Sequence, residues 1–120
     1  MEIVREDPNE KRTKIQQVNA FLRSDYVKQY YLTIYDKMML FTIASFSHKK
    51  KKCFPKLKTM CDFSGMSDKE ARRSLKRLEL SELIQVERRK GTFSFYILNL
   101  PYVHDDEIYG SKSVDKDVNE

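Results

Sequence analysis

The stretch from Phe54 to Leu98 constrains this chain more than any other: a short helix, a glycine, a second and strongly basic helix, then two alternating runs around a turn. Leu57, Met60 and Cys61 fall on one face of the first helix, with Pro55 at its entrance. Gly65 supplies the turn, because glycine takes a left-handed backbone at no steric cost. Ser67 is placed to cap the next helix, and Glu70 to complete a capping box. Over residues 67–80 the periodicity separates Ala71, Ser74, Leu75 and Leu78 from Lys69, Arg72, Arg73 and Lys76, with Arg77 at the edge. A buried stripe thus opposes a basic one. After Leu83 the period drops to two. Ile84 and Val86 alternate with Gln85 and Glu87, Arg88 to Gly91 form a turn, and Phe93, Phe95 and Ile97 alternate with Ser94, Tyr96 and Leu98. That pattern predicts a β-hairpin, ended by Pro101.

Upstream, Thr33 is a good N-cap for TIYDKMMLFTIASFSH, where Ile34, Met38, Leu40, Phe41, Ile43, Ala44 and Phe46 cover most of the circumference. A helix apolar on nearly all sides belongs in a core. Residues 12–24 predict an earlier helix with Ile15, Val18 and Leu22 on one stripe and Phe21 beside them. Cys53 and Phe54 suit a short strand. The expected fold class is mainly α with a small β-hairpin, an α+β arrangement. Residues 1–11 are expected to be a mobile N-terminal tail, 12–103 the domain with its N-terminal extension helix, and 104–120 a disordered acidic tail.

Charge points to a partner class. The net charge is +5, yet residues 104–120 hold six acids against two lysines, which leaves +9 on residues 1–103. A small domain this basic has the footprint expected for a polyanion partner. No apolar run approaches the ~20 residues of a membrane span, and the N-terminus lacks the pattern of a signal peptide, so a cytoplasmic location is expected. Cys53 and Cys61 fit no metal-ligand spacing, and His48 and His104 add no cluster, so neither a metal nor a cofactor is expected.

The run SGMSDKEARRSLKRLELSELIQVERRKGTFSFYIL resembles the winged helix-turn-helix superfamily, in particular the small domains of plasmid and phage replication initiators and regulators. The upstream YLTIYDKMMLFTIASFS and CFPKLKTM are similar to that group's first helix, short strand and second helix. The resemblance implies that helix 67–80 enters the major groove of double-stranded DNA, with Lys69, Arg73 and Arg72 reaching base edges and Lys76 meeting phosphate. It places Arg88, Arg89 and Lys90 of the wing (87–92) on the backbone or in the minor groove. Lys56, Lys58 and Thr59, with the lysines at 49–52, would neutralise phosphates, and Ser67 opens the recognition helix. Asp68 departs from the group's usual basic residue: it suits the helix dipole, repels phosphate and could accept from a cytosine amino group. Glu82 stands where related turns carry glycine.

The implied function is a sequence-specific DNA-binding protein, either a transcriptional regulator or a replication or transfer accessory factor of a mobile element. It would act as a homodimer through helix 12–24, without a small-molecule ligand. The alternative is a winged-helix adaptor in a protein complex, with Tyr26, Tyr30 and Tyr31 as anchors. An enzyme is not expected, since the chain lacks a nucleophile–base constellation, a phosphate loop or a paired-carboxylate site.

Overall fold

Three of the four helices begin where a hydroxyl side chain satisfies an unpaired backbone N–H. In the computed structural model, which describes residues 8–48, 50, 52–89 and 94–108, the helices are α1 (Lys14–Leu22), α2 (Ile34–Ser47), α3 (Leu57–Ser64) and α4 (Asp68–Leu80). Strands β1 (Ile84–Arg88) and β2 (Ser94–Leu98) follow. Thr13 accepts from the Gln16 N–H, and the Gln16 side chain accepts from the Thr13 N–H at 2.8 Å. Thr33 and Asp36 form the same reciprocal pair at 3.1 Å for α2. Ser67 accepts from the Glu70 N–H at 3.2 Å. Glu70 does not complete the expected box; its carboxylate lies 3.8 Å from Arg73 instead. Pro55 stands just outside α3, whose N-cap is Lys56.

Three helix ends carry a positive φ: His48 closes α2 at 39°, and the other two take the left-handed helical conformation. Gly65 has φ 81° and donates its N–H to the Cys61 carbonyl at 2.8 Å, ending α3 as expected. Glu82 takes the same conformation with φ 64°. Its N–H donates to the Glu79 carbonyl and the Leu83 N–H to the Leu78 carbonyl, each at 3.0 Å. This pair is a Schellman motif, with buried Leu78 and Leu83 as its apolar contact. The corner therefore has the shape a glycine would give it. A side chain at this φ is unfavourable, so Glu82→Gly should raise the unfolding free energy by about 0.5–1 kcal/mol. Urea titration measures this, and a destabilised variant would show that Glu82 is not strained.

α2 is the hub, packed against α1, α3, α4 and β2. Its Met39, Leu40, Ile43 and Ala44 are fully buried beside Val18 and Phe21 of α1, Met60 of α3, and Ala71 and Leu78 of α4. Each large apolar side chain buried in this way stabilises by roughly 1.5–3 kcal/mol. The expected stripe on α1 shifts: Gln17, Val18, Ala20 and Phe21 are the buried residues, while Ile15 is 37% exposed. At ~100° per residue Ile15 lies about 140° around the axis from the centre of that buried set, so it turns toward solvent. α2 is not enclosed on all sides, because Ile34 (75%) and Met38 (41%) remain exposed.

The hairpin pairs antiparallel, with Ile84 opposite Leu98, Val86 opposite Tyr96 and Arg88 opposite Ser94. These pairs share the face toward the helices, where Ile84 and Leu98 are buried. Phe95 and Ile97 take the other face, and Phe95 is covered by the Phe54 ring, the Lys52 ammonium and the Arg89 guanidinium. Arg88 is the last paired residue of β1, not part of the turn. Cys53 exchanges two backbone hydrogen bonds with Tyr96, a one-residue third strand at the position expected for one.

Order reaches further into both termini than composition suggests. Pro8–Lys11 form a 3-10 turn, and the Asn9 side chain donates to the Leu100 carbonyl at 3.0 Å. Asp105–Glu107 form another. Asp105 binds Arg12 at 2.9 Å, Glu107 accepts from the Tyr26 hydroxyl at 2.8 Å, and Ile108 bridges to Ser24. The acids expected to keep residues 104–108 unfolded have partners that lie far upstream in sequence and close in space. Residues 1–7 and 109–120 of the expected tails lie outside the described residues.

Candidate nucleic-acid interface

The buried stripe of α4 sets which way its cations face. Ala71, Ser74 and Leu78 turn inward, and the small Ala71 lets α4 lie close to its neighbours. Lys69, Arg72, Arg73 and Lys76 are all exposed on the opposite side. The structure thus brings together the four α4 cations that the sequence nominates. The Glu70–Arg73 pair at 3.8 Å is solvent-exposed, where such pairs contribute ~0–1 kcal/mol. It leaves Arg73 at little cost for another acceptor.

α3 adds a second basic edge. Lys56 is its N-cap residue, and Lys58 and Thr59 are exposed on its first turn. Asp68, at the first turn of α4, accepts from the Cys61 thiol at 3.5 Å, so it faces α3. Burial first, and Asp68 second, push the Cys61 thiol up, while burial pushes Cys53 up to about 11. Both cysteines are free, neutral thiols at ordinary pH.

Two cations differ from their expected placement. Arg77 does not extend the basic face. It folds back to Asp36 of α2, donating from Nε to both carboxylate oxygens at 3.0 and 3.2 Å, with Nη2 lying 2.9 Å from Oδ1 and donating to the Ser74 hydroxyl at 3.1 Å. Arg88 donates from both terminal nitrogens to Glu79 of α4, at 2.8 and 2.7 Å. This bidentate pair ties the hairpin to the helix. Lys52 pairs with Glu87 at 3.1 Å. Lys49, Lys51 and Lys90 lie outside the described residues. A groove of about 380 Å³ separates α4 from the hairpin, floored by Leu57, Leu75, Val86 and Tyr96 and rimmed by Arg72, Lys76 and Arg88.

The Glu79–Arg88 pair has a pH signature. The Arg88 hydrogen bond holds the Glu79 carboxyl below its ordinary 4.5, against an opposing effect of burial. A carboxyl lowered in the folded state stabilises above its unfolded value and loses that contribution as pH falls through the folded one. Glu79→Gln should therefore be less stable than the parent at neutral pH, and the two should converge as acid takes the pH below the lowered folded value of Glu79. A stability gap unchanged in acid would mean the ion pair contributes nothing.

Asp36 is the partner that sequence reasoning missed. Its capping role was legible from Thr33 three residues earlier, but no local signal connects it to a guanidinium 41 residues on. Among the described residues, no group of histidine, cysteine and acidic side chains could hold a metal ion, and no helix is long and apolar enough to cross a membrane.

Residues 30–84 match the model of a family described as a helix-turn-helix domain. Comparisons with curated proteins and with solved structures give no match. The matched segment begins just before α2, runs through α3 and α4, and stops at the first residue of β1. A domain of this kind suggests binding to double-stranded DNA. The match, the α3–Gly65–α4 geometry and the hairpin behind it agree: residues 30–84 are similar to a helix-turn-helix domain, in an α+β fold consistent with a winged helix.

Proposed function

We propose that the protein is a sequence-specific binder of double-stranded DNA, with α4 lying in the major groove and the hairpin on the adjacent backbone or minor groove. The observation that carries this reading is the outer face of α4, where Lys69, Arg72, Arg73 and Lys76 are presented together on a rigid, capped helix. Lys69, Arg72 and Arg73, on the first turns, are the base-reading candidates, and Lys76, one turn after Arg72, meets phosphate. Lys56, Lys58 and Thr59 take phosphates from the other side, and Ser67 orders the helix start. Arg89 and Lys90 serve the wing. Arg88, engaged by Glu79, holds the wing against the helix rather than reaching for DNA.

In biological terms the reading is a transcriptional regulator, or a replication or transfer accessory factor of a mobile element. One recognition helix reads few base pairs, so specificity on a genome calls for two copies on two half-sites. The test is a fluorescence-anisotropy titration of a duplex selected from a random-sequence library against a scrambled duplex of equal composition. The selected duplex should bind at least about tenfold tighter near 150 mM salt. Equal, weak binding to both that disappears with salt would reduce the basic face to an electrostatic surface.

A further inference from the structure

We propose that the outward face of α2, with Tyr31 before it, is the surface through which two copies of this chain associate. α2 is the element whose sequence demands burial all round, and the described residues leave one side of it bare. At ~100° per residue, Ile34 and Met38 each lie about 160° around the axis from Asp36. Asp36 is tied to α4 through Arg77, so Ile34 and Met38 face away from the recognition helix. Ile34 is 75% exposed and Met38 41%, with Tyr35 (42%) alongside and half-buried Phe41 one turn on. Tyr31 adds a bulky side chain that is 90% exposed on a backbone with φ 52°, a conformation such residues rarely adopt.

A second copy fits this face for two reasons. The first is charge. Between Gln29 and Ser47 the charged residues are Asp36, buried against Arg77, and Lys37. Two chains of net charge +5 repel through most of their surface and can meet most easily across this nearly neutral patch. The second is area. Tyr31, Ile34, Tyr35 and Met38 expose on the order of 500 Å², at the upper end for the largest apolar patch of a monomer. Doubled across a two-fold axis, that approaches the ~1,000 Å² expected of a specific interface. With the axis crossing α2 between Ile34 and Met38, Ile34 of one copy meets Met38 of the other, and each tyrosine pair closes an end. α1, the dimer helix expected from the sequence, has no comparable face to offer. Its apolar stripe is already buried on α2.

The proposal does not rest on DNA binding, and its test contains no DNA. Sedimentation equilibrium of the full chain should show a monomer–dimer equilibrium between micromolar and near-millimolar concentration, at least as tight in high salt as in low. Ile34→Glu should raise the dissociation constant by more than about tenfold, because two copies of the side chain leave the interface together. Ile15→Glu, on α1, should leave it unchanged. Both positions are exposed, and circular dichroism confirms the fold; Met38→Lys replaces Ile34→Glu if the latter unfolds. A single-chain mass at every concentration overturns the proposal, and so does a dimer that only Ile15→Glu breaks. Failure here leaves the DNA reading standing, since that reading is scored on binding to duplex.

Discussion

Arg77→Ala should lower the unfolding free energy by about 2–3 kcal/mol, the largest loss expected from any single charge on this protein. Asp36 is 1% exposed, accepts from Arg77 Nε with both of its oxygens and lies 2.9 Å from the Arg77 Nη2. Removing the guanidinium leaves a buried carboxylate with only its capping bond from the Thr33 N–H. Losing one partner of a fully buried pair costs ~3–5 kcal/mol; the lower range applies because the Arg77 side chain is 41% exposed and water can enter in its place. Asp36→Asn keeps an acceptor for the cap and should cost less. In a double-mutant cycle the two changes should be strongly non-additive, because they share one interaction. Additive losses in urea titrations would show that the pair is incidental. The pair also anchors the C-terminal half of α4 to α2, so it sets how the basic face is presented.

Arg73→Ala should weaken binding to the selected duplex by roughly 1–3 kcal/mol, up to about a hundredfold, and relax the preference over scrambled sequence. The loss is expected because Arg73 stands exposed on the outer face and its partner Glu70, at 3.8 Å, holds it loosely. Stability should barely change, since surface pairs of this kind contribute ~0–1 kcal/mol. Equal losses on both duplexes would assign Arg73 to phosphate and move base reading to Lys69 or Arg72. Loss of binding together with loss of stability would mean that the helix itself had shifted.

The register of the α3–α4–hairpin unit was legible because its signals are local. Ser67 opening α4, Gly65 closing α3 and the inward set Ala71, Ser74 and Leu78 each follow from residues within a turn or two. The switch to a period of two marked the hairpin for the same reason. Side-chain direction within it was less legible: alternation separates Phe95 and Ile97 from Tyr96 and Leu98 without saying which set is inward, and it is Tyr96 and Leu98 that face the helices. Both faces of β2 carry apolar residues, and periodicity cannot choose between two apolar faces. The pairing register with β1 makes that choice.

What the sequence determined by itself was the order of elements from Thr33 onward, the caps and turns that bound them, and the four cations on one face of α4. These depend on backbone preferences and on helical and strand periods, which act over a few residues. What only the tertiary structure decided was the fate of charges and faces that need a distant partner. Arg77 left the basic face for Asp36, Arg88 left the wing tip for Glu79, and Asp105 and Glu107 tied down a segment that composition would leave loose. The same is true of α2, whose apolar circumference says that it must be covered but not by what. A guanidinium 41 residues away can outcompete solvent only after the fold has brought it within 3 Å, and that proximity is written in packing, not in spacing.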